Sequence, residues 1–319
     1  MKILVTGAAG FIGSHLSEKL AELGHSVVGI DNFDAYYSRE LKESNAAAVK
    51  SAGVDFLELD LASDDLEAAM VGVEVVYHCA AQPGISAGTA FEQYLRNNVL
   101  ATERLAEAAR RLSSLRFFVN VSTSSVYGRH ATDSEDAAPR PASYYGVTKL
   151  AAEQLVLSYG RQNGLKACSL RLFSVYGPRE RPEKLYPKLI GAILAGRRFP
   201  LYEGSLEHSR SYTYIDDAIA GFLAVLDRME ECAGEIFNIG SDVEMTTARG
   251  IEIVQEIMGA KARFDMLPRR AGDQLQTHAN IEKARRVLGY RPKTGLKEGL
   301  AAEVEWYKRD VFERFEGSS

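Results

Sequence analysis

The stretch KILVTGAAGFIG at residues 2–13 decides the fold. An apolar run rich in Ile, Leu and Val leads straight into glycines at 7, 10 and 13, and a helix-like pattern follows to residue 23. Strand, tight glycine turn and helix in that order form the opening unit of a dinucleotide-binding sheet. The glycines let the chain turn sharply, let backbone approach a pyrophosphate, and let the helix pack close to the strand. The amides at the helix N-terminus then face the phosphate charge. The next strand-like run, SVVGI at 26–30, ends at Asp31, 18 residues after Gly13. A carboxylate there accepts hydrogen bonds from the adenosine ribose and repels a 2′-phosphate, which points to NAD rather than NADP.

Further strand candidates lie at 54–59, 75–78, 116–121 and 167–172, with helical stretches at 98–112 and 145–159 between the later ones. Short β-branched runs separated by helices predict an α/β fold, a Rossmann-type doubly wound parallel sheet with helices on both faces. The second half is less regular. Residues 177–187 are rich in Pro, Arg and Glu and read as a loop over a site. Helices are expected at 188–195 and 215–226 and a strand at 235–239. The expected division is an NAD-binding domain over 1–172, to which 215–240 returns. A smaller discontinuous α/β substrate-binding region covers 173–214 and 241–312, and 313–319 forms a frayed tail.

Bulk composition excludes several classes. With 46% hydrophobic and 25% charged residues in 319, the chain reads as globular and needs no staple to fold. A net charge of −5 gives no broad basic field, so no nucleic-acid partner is expected, although a local anion site remains compatible with it. Cys79, Cys168 and Cys232 lack metal-ligand spacing and read as reduced thiols, so no metal is expected. A strand that starts at once leaves no room for a signal peptide, and no apolar run approaches membrane-spanning length. A cytoplasmic location is the expectation.

Tyr145 and Lys149, in YGVTK, share one face of an expected helix. A free phenol has a pKa of about 10 and is a poor base at neutral pH. A nearby ammonium and the positive nicotinamide of NAD⁺ would lower it. Such a pair taken alone is common. Upstream, FVNVSTSSVYG at 118–128 is a strand entering a hydroxyl-rich turn, which offers a group to bond a substrate oxygen as its proton leaves.

With the glycine turn, the hydroxyl turn and YGVTK in order, the chain resembles the extended short-chain dehydrogenase/reductases, in particular the NAD-dependent sugar epimerase/dehydratase family. HCAAQPG at 78–84, NNV at 97–99, RLFSVYGPRERP at 171–182, RSYTYIDD at 210–217 and RRAGD at 269–273 carry the likeness to about residue 307. The resemblance implies Thr123, Tyr145 and Lys149 as the catalytic groups. It implies cofactor contacts at Gly7, Ala9, Gly10, Phe11, Ile12, Gly13, Asp31, Asn32, Asp60, Leu61, Ala80, Ala81, Gln82, Asn98 and Ser122, besides Tyr145 and Lys149. His78 and Cys79 read as strand-end packing groups.

The same resemblance implies a UDP-sugar ligand, with Arg210 and Arg270 on the diphosphate, Asp273 on the ribose and Tyr202 on the base. Dehydratases and uronate decarboxylases of the family carry an acidic residue beside the catalytic Thr; here Ser124 and Ser125 are neutral. That favours oxidation and re-reduction at carbon-4, an epimerisation. DNFDAYYSRELK at 31–42 and the segments around 78–84 and 174–182 are most similar to the UDP-glucuronate 4-epimerases, which implies Ser124, Ser125, Ser174 and Arg181 around a uronate carboxylate. One position departs: where that group commonly has Gly-Val-Arg, this chain has Gly84-Ile85-Ser86. The alternatives are a UDP-glucose or UDP-N-acetylglucosamine 4-epimerase, a decarboxylase or dehydratase, and a reductase. A non-enzymatic NAD sensor would be expected to lack Tyr145 or Lys149. The resemblance also implies a homodimer formed through the helices near Asn98 and Tyr145.

Overall fold

The computed structural model describes residues 1–84, 88–269 and 274–316. Its centre is a seven-stranded sheet built of β1 (Lys2–Thr6), β2 (Ser26–Asp31), β3 (Asp55–Glu58), β4 (Val75–His78), β5 (Phe117–Thr123), β6 (Ala167–Leu172) and β7 (Ile236–Ile239). The order is β7-β6-β5-β4-β1-β2-β3, with every neighbouring pair parallel. The main helices are α1 (Phe11–Glu22), α2 (Arg39–Ser51), α3 (Ala101–Arg110), α4 (Tyr144–Asn163), α5 (Leu185–Leu194), α6 (Ile215–Leu226), α7 (Thr247–Met258) and α8 (Leu296–Trp306). A short helix, Phe91–Tyr94, and a π-helical segment, Leu95–Leu100, lead into α3.

Alternation along the strands explains the two faces. Ile3, Val5, Val75 and Tyr77 point into one cluster with Leu16 and Leu20 of α1 and Phe222 of α6. Leu4, Val28, Val76 and Phe118 point the other way, onto Leu105 of α3 and Val156 of α4. Both faces are covered, so β4, β5 and β6 are buried along their whole length. A third cluster, with Tyr186 and Leu189 of α5, Ile251 of α7 and Leu300 of α8, forms the core of the second half. Smaller strands accompany it: Arg198–Tyr202 pairs with Arg263–Leu267, and Ser209–Arg210 lies between Met245–Thr246 and Gln276–Thr277. After β3 the chain returns to the far side of β1 to form β4. That reversal leaves a crevice beyond the carboxyl ends of β1 and β4.

Two local differences from the sequence expectation have clear causes. Helix α5 begins at Leu185 rather than 188, because Pro187 sits in its first turn, where a missing amide costs nothing. The chain end does not fray from 313: a helical segment continues over Tyr307–Glu316, with Val311 buried against the third cluster. Residues 317–319 lie outside the described residues.

The loop at 177–184 joins the halves. Arg179, in the left-handed region at φ 70°, grips Glu18 of α1 with both Nη atoms at 2.8 and 3.2 Å. Glu180 turns inward to face Glu303 of α8, and both carboxyls are buried. Burial pushes Glu180 up to about 7 and raises Glu303 as well, so the two hold a proton near neutrality. A carboxyl whose folded pKa lies above its unfolded value costs stability as pH rises through that window. Glu303→Gln, which stays neutral, should therefore raise Tm over wild type by about 2–5 °C at pH 8, and the gap should close toward pH 5. Thermal melts across pH 5–8 check this; a pH-independent gap would contradict it.

Candidate active site

A cleft of about 840 Å³ opens over the crevice. Thr123, every expected cofactor residue except Ala9 and Asn98, and Ser124, Ser125, Ser174, Arg181, Tyr202 and Arg210 line it. Arg270, Asp273, Ile85 and Ser86 lie outside the described residues. Ala9 and Asn98 stand behind the wall. The Ala9 amide donates to Asp31 Oδ2 at 3.0 Å. Asn98 accepts from the Gln82 amide at 2.7 Å and donates to Thr148 Oγ1 at 3.0 Å, tying the 80–84 loop to α4.

The glycine turn is built by close approach. A Cβ on Gly13 would sit 2.1 Å from the Gly7 carbonyl oxygen, and one on Gly7, at φ 71°, would sit 2.9 Å from the Ala80 amide nitrogen. Gly10 caps α1 without a side-chain acceptor, and the first turn carries no acidic residue. The helix N-terminus is thus open to an anion. Asp31 stands beside it, its second oxygen accepting from the Phe33 amide at 2.9 Å. Burial raises the Asp31 carboxyl, while those amides and the Lys42 ammonium oppose the shift. Ser122 Oγ and Gln82 Nε2 are buried cleft-lining atoms that find no hydrogen-bond partner among the described residues. These orphaned polar atoms, the open helix end and the carboxylate suit a dinucleotide.

The groups expected to react come from two elements. Thr123 ends β5, and its Oγ1 accepts from the Ser125 amide at 3.2 Å, which shapes the hydroxyl turn. Tyr145 and Lys149 lie one turn apart on α4, whose start is capped by Ser143 accepting from the Gly146 amide at 3.1 Å. The Tyr145 phenol and the Thr123 hydroxyl face the same cleft. Burial raises the phenol, and Thr123 and Arg181 oppose that rise. Lys149 is itself driven down to about 8 by burial, against the pull of Cys79 and Glu153. Lys149 lies buried in the cleft wall one turn from the phenol, and Arg181 adds a second cation that offsets the phenol's burial.

His78 bridges Thr6 and Thr102, both contacts at 2.8 Å, and burial lowers it to about 3, so it is neutral packing. Burial likewise pushes the Cys79 thiol up to about 12. The sequence reading missed Tyr36, Lys42, Lys184, Lys188 and Gln274, all of which line the cleft. Lys184 and Lys188, four apart at the start of α5, carried a readable signal obscured by Pro187. Gln274 carried none: its amide donates to the Gly128 carbonyl at 2.9 Å, a contact made across the fold. Gly13→Ala should yield protein with less than a tenth of the wild-type bound NAD and a lower Tm. Absorbance of the acid-released nucleotide measures this, and normal loading would refute the close-approach argument.

Comparison with known proteins places these features. Residues 3–240 match the NAD dependent epimerase/dehydratase family. A Bacillus subtilis protein described as an uncharacterized UDP-glucose epimerase, YtcB, is 40% identical over 311 residues, 96% of this chain and 98% of that one. UDP-glucuronate 4-epimerase 2 of Arabidopsis thaliana is 36% identical, over 96% of this chain and 76% of that protein. The crystal structure of UDP-glucuronic acid 4-epimerase from Bacillus cereus, in complex with UDP-glucuronic acid and NAD, is similar at a TM-score of 0.92 and 38% identity, over 97% of this chain and 99% of the other. The glycine turn, the hydroxyl turn and the Tyr145–Lys149 pair are therefore those of a member: this chain belongs to the NAD dependent epimerase/dehydratase family.

Proposed function

We propose that this protein is an NAD-dependent UDP-sugar 4-epimerase that interconverts UDP-glucuronate and UDP-galacturonate. The observation that carries the reading is the position of Tyr145: in one cleft with Thr123 and Arg181, and one helical turn from Lys149. The likeness to uronate epimerases along nearly the whole chain supports the sugar.

NAD, when bound, supplies a hydride acceptor at carbon-4 of the sugar and then a donor at the same carbon. The chain's own groups do the rest. Tyr145, as phenolate, takes the proton from the 4-hydroxyl and later returns it, and Thr123 steadies that oxygen. Lys149 holds the ribose of the cofactor. Ser124, Ser125, Ser174 and Arg181 bind the uronate carboxylate, which needs charge-assisted donors once it leaves water. Arg210 takes the diphosphate and Tyr202 the base, with Arg270 and Asp273 completing the nucleotide end. A ketone at carbon-4 lies β to the carboxylate, so loose binding would invite loss of CO₂. The neutral Ser124–Ser125 turn offers no acid for elimination.

Incubation of the purified protein with UDP-glucuronate, UDP-glucose or UDP-N-acetylglucosamine, without added NAD, should give UDP-galacturonate from the first, resolved by NMR. UDP-xylose would mean a decarboxylase, and stoichiometric conversion of added NAD to NADH a net dehydrogenase. Tyr145→Phe should lose about 10²–10⁴-fold in kcat while retaining bound NAD. Full activity in that variant would sink the mechanism.

The molecule is further proposed to be a homodimer working in the cytoplasm. Phe91, Leu95, Leu100, Tyr144 and Val147 are exposed apolar side chains on the segment before α3 and on α4. Such a face on adjacent helices suits a second copy. Among the described residues no helix is long and apolar enough to cross a membrane. The free thiols Cys79, Cys168 and Cys232 agree with a reducing compartment. Leu100→Glu should move the protein from dimer to monomer mass in light scattering at micromolar concentration; a wild-type monomer would defeat the proposal.

A further inference from the structure

Residues 31–38 run from Asp31 at the cofactor end of the cleft to the start of α2. Stacked side-chain turns fix their path: the Phe33 amide donates to Asp31 Oδ1 at 2.9 Å, the Asp34 amide to Asn32 Oδ1 at 3.0 Å and the Tyr36 amide to Asp34 Oδ1 at 2.9 Å. Tyr36 is thereby delivered to the far end of the cleft, against the loop at 177–184. There the guanidinium carbon of Arg181 lies 5.6 Å from the Tyr36 ring centroid. That is within the reach of a cation–π contact. Arg181 Nη1 also pairs with Glu183 Oε1 at 2.6 Å. Gly84, at φ 80°, leaves the space for the meeting: a Cβ there would lie 3.1 Å from the Tyr36 hydroxyl and 3.7 Å from Arg181 Nη1. The Gly84 carbonyl is held by the Tyr94 hydroxyl at 2.8 Å.

We propose that Tyr36 is a positioning residue for substrate selection: its ring keeps the Arg181 guanidinium in the cleft wall, available to a carboxylate on the sugar. This rests on the role given to Arg181 above and extends it to a residue of the cofactor-binding half. The physical reason is competition. Glu183 already offers Arg181 an anion, and a guanidinium held by that pair alone would turn toward it. The ring holds the same guanidinium without adding negative charge, so the cation keeps unpaired valence for the substrate. An arginine held in place also loses less freedom on binding.

The test uses the full-length, NAD-loaded protein and titration calorimetry with UDP-glucuronate and UDP-glucose. Tyr36→Ala should weaken UDP-glucuronate binding by about 5–30-fold and leave UDP-glucose within about twofold, at unchanged NAD content. Tyr36→Phe, which keeps the ring, should restore the wild-type ratio. If the alanine variant fails to fold, Tyr36→Leu takes its place, keeping bulk without a π face. Equal weakening of both ligands, no weakening of either, or loss of selectivity in Tyr36→Phe would each overturn the proposal. Arg181→Leu separates the two levels of inference. No loss of selectivity there would refute the role of Arg181 itself; loss there with none in Tyr36→Ala would refute only the role of Tyr36.

Discussion

The ion pair between Arg171 and Glu153 holds α4, the helix that carries Tyr145 and Lys149, in register. Arg171 on β6 meets Glu153 on α4 through two hydrogen bonds, at 3.0 and 2.7 Å, and both side chains are fully buried. A third guanidinium nitrogen donates to the Tyr127 hydroxyl at 2.8 Å, which in turn donates to Asn238 of β7 at 2.9 Å. Burying two charges costs several kcal/mol, and only such two-pronged geometry with the remaining donors satisfied offsets it; removing one partner costs about 3–5 kcal/mol. Glu153 lies four residues beyond Lys149 and eight beyond Tyr145, on the same face of α4. The pair therefore sets how far that helix is rotated and slid relative to β5, where Thr123 waits. Tyr127 follows the hydroxyl turn, so the same guanidinium also fixes the turn's far end.

The cleft divides its electrostatics accordingly. At the cofactor end the Asp31 carboxylate is held by backbone amides, beside a helix end that no side chain has capped. At the sugar end the cations collect, from Arg181 to Lys184 and Arg210. Tyr145 lies between them. Burial raises its phenol, and the Arg181 guanidinium opposes that rise. Neutral His78 and Cys79 behind this region add bulk without competing for the proton.

The sequence showed most clearly those features that depend on local backbone geometry. The turn at 7–13 needs glycine for reasons internal to a few residues, and Tyr145 and Lys149 share a face because the helix repeat puts them there. Helix α2 escaped notice because Lys42 and Asn45, two of its four buried positions, are polar. They face inward to serve the cleft, Lys42 donating to the Asp34 carbonyl at 2.5 Å and Asn45 to the Ala9 carbonyl at 3.0 Å. Inward polar contacts to backbone thus broke the apolar period that would have announced the helix. The Glu180–Glu303 contact spans more than a hundred residues, and its acidic partners read as ordinary surface charge until the fold brings them together. Gln274 and Tyr36 escaped for the same reason: their partners are set by tertiary structure.

The strap at 177–184 bears on how the molecule handles traffic. One end is anchored on α1, whose N-terminus faces the cofactor, and the next residue is sunk against α8 in the other half. Swinging the halves apart would mean extracting a forked ion pair and a buried acid couple together, a poor hinge by any measure. Nucleotide sugars must then enter and leave by the open mouth while the scaffold stays shut. The strap thus ties the edge of the cleft to both halves of the scaffold, and leaves the mouth as the route for exchange.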